Sequence, residues 1–110
     1  MVKTDTWLNK PDILSAYQCQ EVKDNGHTYP SNLLITKTHL YVLRDKADNK
    51  GFSYIVARRA LSDVVRITSK KRCSELITFR YGKYNGEDTE LYAVDRLYLP
   101  EASEATKLAK

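Results

Sequence analysis

Turn signals divide this chain at regular intervals and restrict it to a fold of short strands. Three of them end in glycine: Asp24-Asn25-Gly26, Asp48-Asn49-Lys50-Gly51 and Tyr84-Asn85-Gly86. Each suits a chain reversal that needs a positive φ. The segments between them are rich in β-branched and aromatic residues, which favour strands. The pattern predicts seven strands, at 13–22, 32–37, 40–44, 52–58, 64–69, 76–81 and 91–99.

Alternation of side chains indicates which face of a strand is buried. In the sixth predicted strand, Ile77, Phe79 and Tyr81 share one face, and Thr78 and Arg80 share the other. The last residues have helical spacing instead, because a proline suited to a first turn precedes recurring alanines and a leucine. The predicted fold class is therefore mainly β, with seven antiparallel strands followed by one C-terminal helix.

Length and composition are those of one domain, spanning residues 1–110. Hydrophobic residues make up 42% of the chain and charged residues 29%, which argues against wholesale disorder. No apolar run approaches the roughly 20 residues of a transmembrane helix. Two cysteines are too few for a disulfide framework, so we expect a reduced, cytoplasmic domain. Because the chain stops inside the predicted helix, we expect it to be a piece excised from the C-terminus of a longer protein.

Positive charge is concentrated in the middle third of the chain. Residues 51–82 hold seven basic and two acidic side chains, a net charge of +5. Residues 1–50 carry a net charge of +1, and residues 83–110 a net charge of −2. A concentrated basic patch attracts an anionic partner.

Two groups of basic residues account for most of this charge. Lys70-Lys71-Arg72 lies in a predicted hairpin loop, and Arg66 lies on the strand before it. Exposed basic groups of this kind meet carboxylates or phosphates, and arginine can do so through two hydrogen bonds. The second group, Arg58-Arg59, lies on a strand, so its two side chains point to opposite faces and only one can join a given patch.

The chain carries no recognisable motif for catalysis or metal binding. Cys19, Cys73, His27 and His39 lack the spacing of a zinc site. Isolated cysteines in strands are typically buried, small apolar residues. There is no G-x-S-x-G sequence and no local signature of a cysteine nucleophile. We therefore expect no metal, no cofactor and no enzymatic activity.

RNA binding is an alternative that the sequence does not favour. Basic residues interleave with Tyr54, Phe79 and Tyr81, as in some nucleic-acid interfaces. These aromatic residues alternate along strands and are expected in the core. No RNP-like or GXXG motif accompanies them.

The order of elements resembles the pleckstrin-homology-like superfold, in which seven antiparallel strands are closed at one corner by a C-terminal helix. The spacing of Leu61, Val64 and Ile67 is similar to that family, as is the phrase Ala102-Ser103-Glu104-Ala105. From Trp7 to its end, the chain more specifically resembles the C-terminal domain of TBC-domain family member 23. The segments that carry this likeness are Trp7-Leu8, Pro11-Asp12-Ile13-Leu14, Tyr17-Gln18-Cys19-Gln20-Glu21-Val22, Asp24-Asn25-Gly26-His27, Ile67-Thr68-Ser69-Lys70-Lys71, Glu75-Leu76-Ile77-Thr78-Phe79 and Ala105-Thr106-Lys107.

This resemblance implies a non-catalytic interaction module that recruits endosome-derived vesicles to the trans-Golgi. It implies a peripheral cytoplasmic protein that holds the acidic tail of the WASH-complex tail subunit and acidic cargo tails. A pleckstrin-like fold leaves a sheet edge to which an extended peptide can add as a strand. We expect Val65 to contact alternate peptide side chains. The residues expected to bind the peptide carboxylates are Arg66, Lys70, Lys71 and Arg72.

Phosphoinositide binding is the main alternative. Pleckstrin-homology domains that hold these lipids tightly usually carry a lysine and a Lys/Arg-x-Arg triplet around the first loop. Here the loop offers Lys23 beside Asp24, and Lys37 follows without an arginine partner. We therefore expect only weak attraction to anionic membranes, about 1 kcal/mol per well-placed basic residue. The candidate lipid or secondary anion contacts are Lys23, Lys37, Arg58 and Arg59.

Overall fold

The computed structural model describes residues 1–101, which form one antiparallel sheet of eight strands. The elements in chain order are β1 (Val2–Lys3), α1 (Thr4–Leu8), β2 (Ser15–Val22), β3 (Thr28–Ile35), β4 (His39–Asp45), β5 (Phe52–Ala60), a 3₁₀ turn (Leu61–Asp63), β6 (Val64–Lys70), β7 (Cys73–Tyr84) and β8 (Thr89–Tyr98). This confirms the mainly β class. The predicted C-terminal helix falls on residues 102–110, outside the described residues.

The strands follow the spatial order β1-β5-β4-β3-β2-β8-β7-β6. Only two residue pairs join β2 to β8, whereas eight join β2 to β3. This narrow junction divides the sheet into a first half-sheet, β1 to β5, and a second half-sheet, β6 to β8. Within the described residues, β1 and β6 do not pair with each other, so the sheet is open.

The two half-sheets share one hydrophobic core between their inner faces. Leu33 and Val42 from the first half-sheet and Phe79, Tyr81 and Leu97 from the second belong to one buried cluster. From β7 the cluster takes the alternate residues Ile77, Phe79 and Tyr81, as the alternation of that strand predicts. Burial of this apolar surface is the main force that holds the half-sheets together.

Part of the outer face of the first half-sheet is covered by α1. Leu34 and Leu43 are fully buried although they point away from the shared core. The Trp7 ring packs edge-on against Tyr41 with centroids 5.2 Å apart. A hydrogen bond of 2.6 Å joins the hydroxyls of Thr4 and Ser53. The first half-sheet is therefore buried on its inner face and, near α1, on part of its outer face, while outer residues such as Gln18 and Arg58 stay exposed.

The glycines of the three predicted turns adopt the conformation expected of them. Gly26, Gly51 and Gly86 have φ values of 85°, 87° and 100°. A different constraint acts on Gly82, where β7 has a register shift against β8. A Cβ atom there would lie 2.8 Å from the carbonyl oxygen of Glu90, so the strands can approach this closely only without a side chain.

The structure corrects three details of the sequence prediction. The sheet has eight strands and not seven, because Val2 and Lys3 pair with β5. The first predicted strand begins at Ser15 and not at residue 13, since the chain before it turns and follows α1. The second predicted strand, at 32–37, is instead β3 at Thr28–Ile35, so Pro30 lies inside a strand: it pairs with Gln20 of β2, and the pairing of β3 with β4 begins only at the next residue. The missing N–H of Pro30 therefore leaves no gap in the ladder with β4.

Candidate functional site

β6 lies at one end of the strand order and pairs only with β7. Its other edge has no strand partner within residues 1–101. A register shift makes Val65 an extra residue between the pairs Val64–Tyr81 and Arg66–Arg80. Val65 is 44% exposed, whereas Val64 packs against the core. This edge offers unpaired backbone groups beside an exposed apolar side chain.

The hairpin that joins β6 to β7 is basic at its tip. Lys70 pairs with Cys73, so Lys71 and Arg72 form the two-residue turn, and all three basic side chains are exposed. The Ser69 hydroxyl donates a 2.8 Å hydrogen bond to the carbonyl of Ser74, which ties the two strands together below the tip. No described carboxylate lies within 4.0 Å of these three basic groups (the six ion pairs of residues 1–101 lie elsewhere).

Arg66 faces a second arginine across the strand pair. It is directly opposite Arg80 of β7, and both point to the outer face because their neighbours Ile67 and Phe79 point inward. The Nη1 atom of Arg80 donates a 3.0 Å hydrogen bond to the Thr68 hydroxyl. We define the basic edge as Arg66, Lys70, Lys71 and Arg72. The sequence prediction places all four on one strand and its hairpin, and so does the structure.

Arg58 and Arg59 lie on β5 and do not join the basic edge. Arg59 makes two hydrogen bonds to Asp95 of β8, 3.1 Å from Nε to Oδ2 and 3.2 Å from Nη2 to Oδ1. Its guanidinium also lies 5.2 Å from the centre of the Tyr81 ring. The hydrogen bond to Asp95 raises the pKa of Arg59. Arg58 is exposed, so only this member of the pair is open to an anion.

Lys23 and Lys37 are not brought together. Lys23 lies in the turn before β3 and Lys37 in the turn after it, so eight residues of strand, about 23 Å, separate them. Lys23 is also engaged, because its Nζ lies 2.9 Å from the carboxylate of Glu21. These two residues cannot hold a single head group.

Glu21 is the buried charge of the first half-sheet. It is only 7% exposed, and the Nε and Nη2 atoms of Arg44 donate to its Oε1 at 2.9 and 2.7 Å. Burial alone raises the pKa of Glu21, but the hydrogen bonds from Lys23 and Arg44 outweigh it, and the pKa is lowered. This arrangement keeps the carboxylate ionised and is structural, since little of the side chain is exposed to a ligand.

The side chains that could suggest catalysis or metal binding are dispersed within residues 1–101. Burial raises the pKa of the Cys19 thiol to about 12, which keeps it protonated and unreactive. Cys73 is a free thiol 3.7 Å from a Glu75 oxygen. Residues 1–101 hold no group of three histidine, cysteine or acidic side chains placed to bind a metal. None of the described helices has the length and apolarity to cross a membrane.

A comparison with protein families shows the family to which this chain belongs. Residues 2–110 match the family described as TBC1 domain family member 23 C-terminal. The chain belongs to this family. The family is a C-terminal module and not the TBC domain itself, which is consistent with a non-catalytic role.

For this family member, sequence reasoning missed one component of the candidate site. Alternation along β7 places Arg80 on the outer face, but no local signal reveals that it lies opposite Arg66. That fact depends on the register between β6 and β7, which is shifted at Val65. The register shift is a property of the paired strands and leaves no mark in either segment alone.

Proposed function

We propose that this domain is a non-catalytic module that holds acidic peptides along the exposed edge of β6. It would act in vesicle traffic from endosomes to the trans-Golgi, as a peripheral cytoplasmic protein. Its partners would be the acidic tail of the WASH-complex tail subunit and acidic cargo tails. The observation that carries the proposal is the coincidence of an unpaired strand edge with basic groups that have no described counter-ion.

The proposal includes a pleckstrin-homology-like architecture. Two half-sheets that meet at the narrow β2–β8 junction and share one core support it. In that architecture β6 is a free edge of the second half-sheet. The N-terminal strand β1 and helix α1 are additions that cover the first half-sheet and leave β6 untouched.

Strand addition explains how an acidic peptide would be held in one register. An extended peptide beside β6 would bond through alternate backbone groups, and its side chains would point alternately to the two faces. Those facing outward would lie next to Arg66, and those nearest the hairpin would meet Lys70, Lys71 and Arg72. The exposed side chain of Val65 would provide an apolar contact between the charged ones.

The same geometry favours a peptide over a phosphoinositide. A head group needs several basic side chains converging on one point, but Lys23 is bound to Glu21 and Lys37 lies at the opposite end of β3. Exposed basic groups would still attract an anionic membrane, in a way that salt screens. Lipid binding is therefore expected to be weak and to depend on total charge.

A side-by-side titration tests the proposal. One arm is an array of acidic decapeptides together with its matched array in which Gln and Asn replace Glu and Asp. The other arm is liposomes that carry a phosphoinositide or, at equal surface charge, phosphatidylserine. We expect binding to acidic peptides, none to the amide array, and equal, salt-sensitive binding to both liposomes. Tight binding to one phosphoinositide without peptide binding would overturn the proposal, as would preferential binding of polyribonucleotide with a steep salt slope.

A further inference from the structure

The outer face of the second half-sheet carries positive charge beyond the basic edge, on Arg80 and Arg96. The outward-facing residues around Arg80 are Arg66 and Thr68 on β6, Leu76, Thr78 and Arg80 on β7, and Val94, Arg96 and Tyr98 on β8. Three of these eight are arginines and none is acidic. Arg96 has a counter-ion, Asp24, at 2.7 Å, but no described carboxylate lies within 4.0 Å of Arg66 or Arg80.

Arg66 and Arg80 are directly opposite residues on neighbouring antiparallel strands. Residues directly opposite on antiparallel strands have Cβ atoms about 4.5–5.5 Å apart, and like charges in such positions destabilise the pair. The hydrogen bond from Arg80 to the Thr68 hydroxyl holds the Arg80 guanidinium close to β6. An anion placed between the two arginines would turn their repulsion into attraction to a common partner.

A phosphate monoester fits this pair better than a carboxylate does. It carries a charge of about −1.5 to −2 and three strong acceptor oxygens at neutral pH, so it can accept from two guanidinium groups at once. We propose that Arg66 and Arg80 form a seat for a phosphorylated side chain, so that phosphorylation strengthens the binding of a peptide paired with β6. This inference rests on the proposed function, because the paired peptide carries the phosphate to the seat.

Geometry also selects the positions at which phosphorylation would act. A peptide residue opposite Arg66 shares its outer face and lies one strand spacing, about 4.8 Å, from it. The residues on either side of it point to the other face, away from both arginines. Phosphorylation should therefore strengthen binding at alternate positions only.

The location of the pair favours a peptide over a lipid head group. Arg80 lies in the middle of the twelve-residue strand β7, on the face of the sheet and away from the loops at its ends. Arg66 lies on the open edge itself. A peptide added to that edge reaches both residues, whereas a membrane would have to lie against the whole face of the half-sheet.

The test uses the 110-residue chain and the tightest-binding decapeptide of the acidic array. A single phosphoserine replaces each position in turn, and the reference peptide carries glutamate there. We expect phosphoserine to bind about tenfold more tightly than glutamate at alternate positions and equally at the others. In Arg80→Gln and Arg66→Gln the two affinities should become nearly equal. In Lys50→Gln, which removes one positive charge from the exposed β4–β5 loop, the tenfold gain should remain.

Each other outcome rejects the inference in a recognisable way. Equal gains at every position, or gains that survive both arginine substitutions, would mean that the peptide responds to charge alone. Phosphoinositide vesicles that require Arg80 while phosphopeptides do not would assign the seat to a membrane. If the acidic peptide binds and phosphoserine adds nothing, the seat is rejected and the proposed function stands. If no acidic or phosphorylated peptide binds, both are rejected. Thermal unfolding of each variant establishes that it is folded.

Discussion

Arg59 on β5 and Asp95 on β8 join the two half-sheets through a pair of hydrogen bonds, 3.1 and 3.2 Å long. β5 and β8 are not neighbours in the sheet, so this contact joins the two half-sheets across the core and is not part of the backbone pairing between strands. Both side chains are largely buried, at 23% and 12% exposure. The ion pair therefore fixes how β5 and β8 lie relative to each other.

Removing the carboxylate should destabilise the fold. Asp95→Ala leaves the Arg59 guanidinium largely buried without its partner, and we expect the free energy of unfolding to fall by about 2 kcal/mol. Urea denaturation measures this, and Asp48→Ala, which breaks the exposed pair with Lys46, is the control expected to show little change. In a double-mutant cycle with Arg59→Met the two losses should not be additive. Full additivity would show that the bonds contribute nothing.

Removing the Tyr81 hydroxyl, which lies beside this ion pair, is expected to have the opposite effect on stability. It is buried and makes no hydrogen bond of good geometry among residues 1–101, although burial and the neighbouring Asp95 carboxylate raise its pKa. Tyr81→Phe removes a buried polar group and keeps the ring, so the free energy of unfolding should stay the same or rise by up to about 1 kcal/mol. Urea denaturation again provides the measurement. A clear loss of stability would reveal a partner for the hydroxyl.

Glu21 predicts how stability depends on pH. Its pKa is lowered in the folded state from an ordinary value of 4.5. The stabilisation is therefore fully present above pH 4.5, where the unfolded chain is also ionised, and is lost as the pH falls through the lower folded value. The difference in unfolding free energy between wild type and Glu21→Gln should shrink as urea titrations move from pH 6 toward pH 3. A difference that stays constant over this range would contradict the assignment.

Local signals were sufficient to predict most of the fold. Turn glycines and alternating apolar residues located seven of the eight strands, because both signals lie within a few residues of the feature they predict. The two N-terminal elements, β1 and α1, were not predicted. Two residues pairing with β5 and a five-residue helix are too short for periodicity, and tertiary contacts such as Trp7 with Tyr41 stabilise them.

Part of the candidate site could also be predicted from the sequence. Lys70, Lys71 and Arg72 are adjacent in sequence, so a turn prediction is enough to expose them together. The approach of Arg80 to Arg66 depends on the pairing register, and the engagement of Lys23 by Glu21 depends on side-chain placement. Neither follows from spacing along one strand. Charge runs were visible in the sequence, whereas their counter-ions were not.

Reversing the charge of the hairpin should abolish acidic-peptide binding and leave the fold intact. Lys70→Glu with Lys71→Glu places two negative charges where the peptide carboxylates would lie, and we expect an affinity loss of tenfold or more, on the order of 1.4 kcal/mol at least. Calorimetric titration measures it. The matched control is Lys3→Glu with Lys50→Glu, which makes the same change in net charge at exposed positions on β1 and the β4–β5 loop. Equal losses in both variants would show that only net charge matters.

The last prediction separates strand addition from a purely electrostatic contact. If the peptide pairs with β6, alternate peptide amides donate to the β6 backbone, and the others point away. N-methylation of a bound decapeptide, one position at a time, removes each donor without changing any charge. We expect large losses of affinity at one set of alternate positions and small losses at the other. A uniform profile would mean that the basic edge attracts acidic chains without ordering them, and strand addition would be rejected.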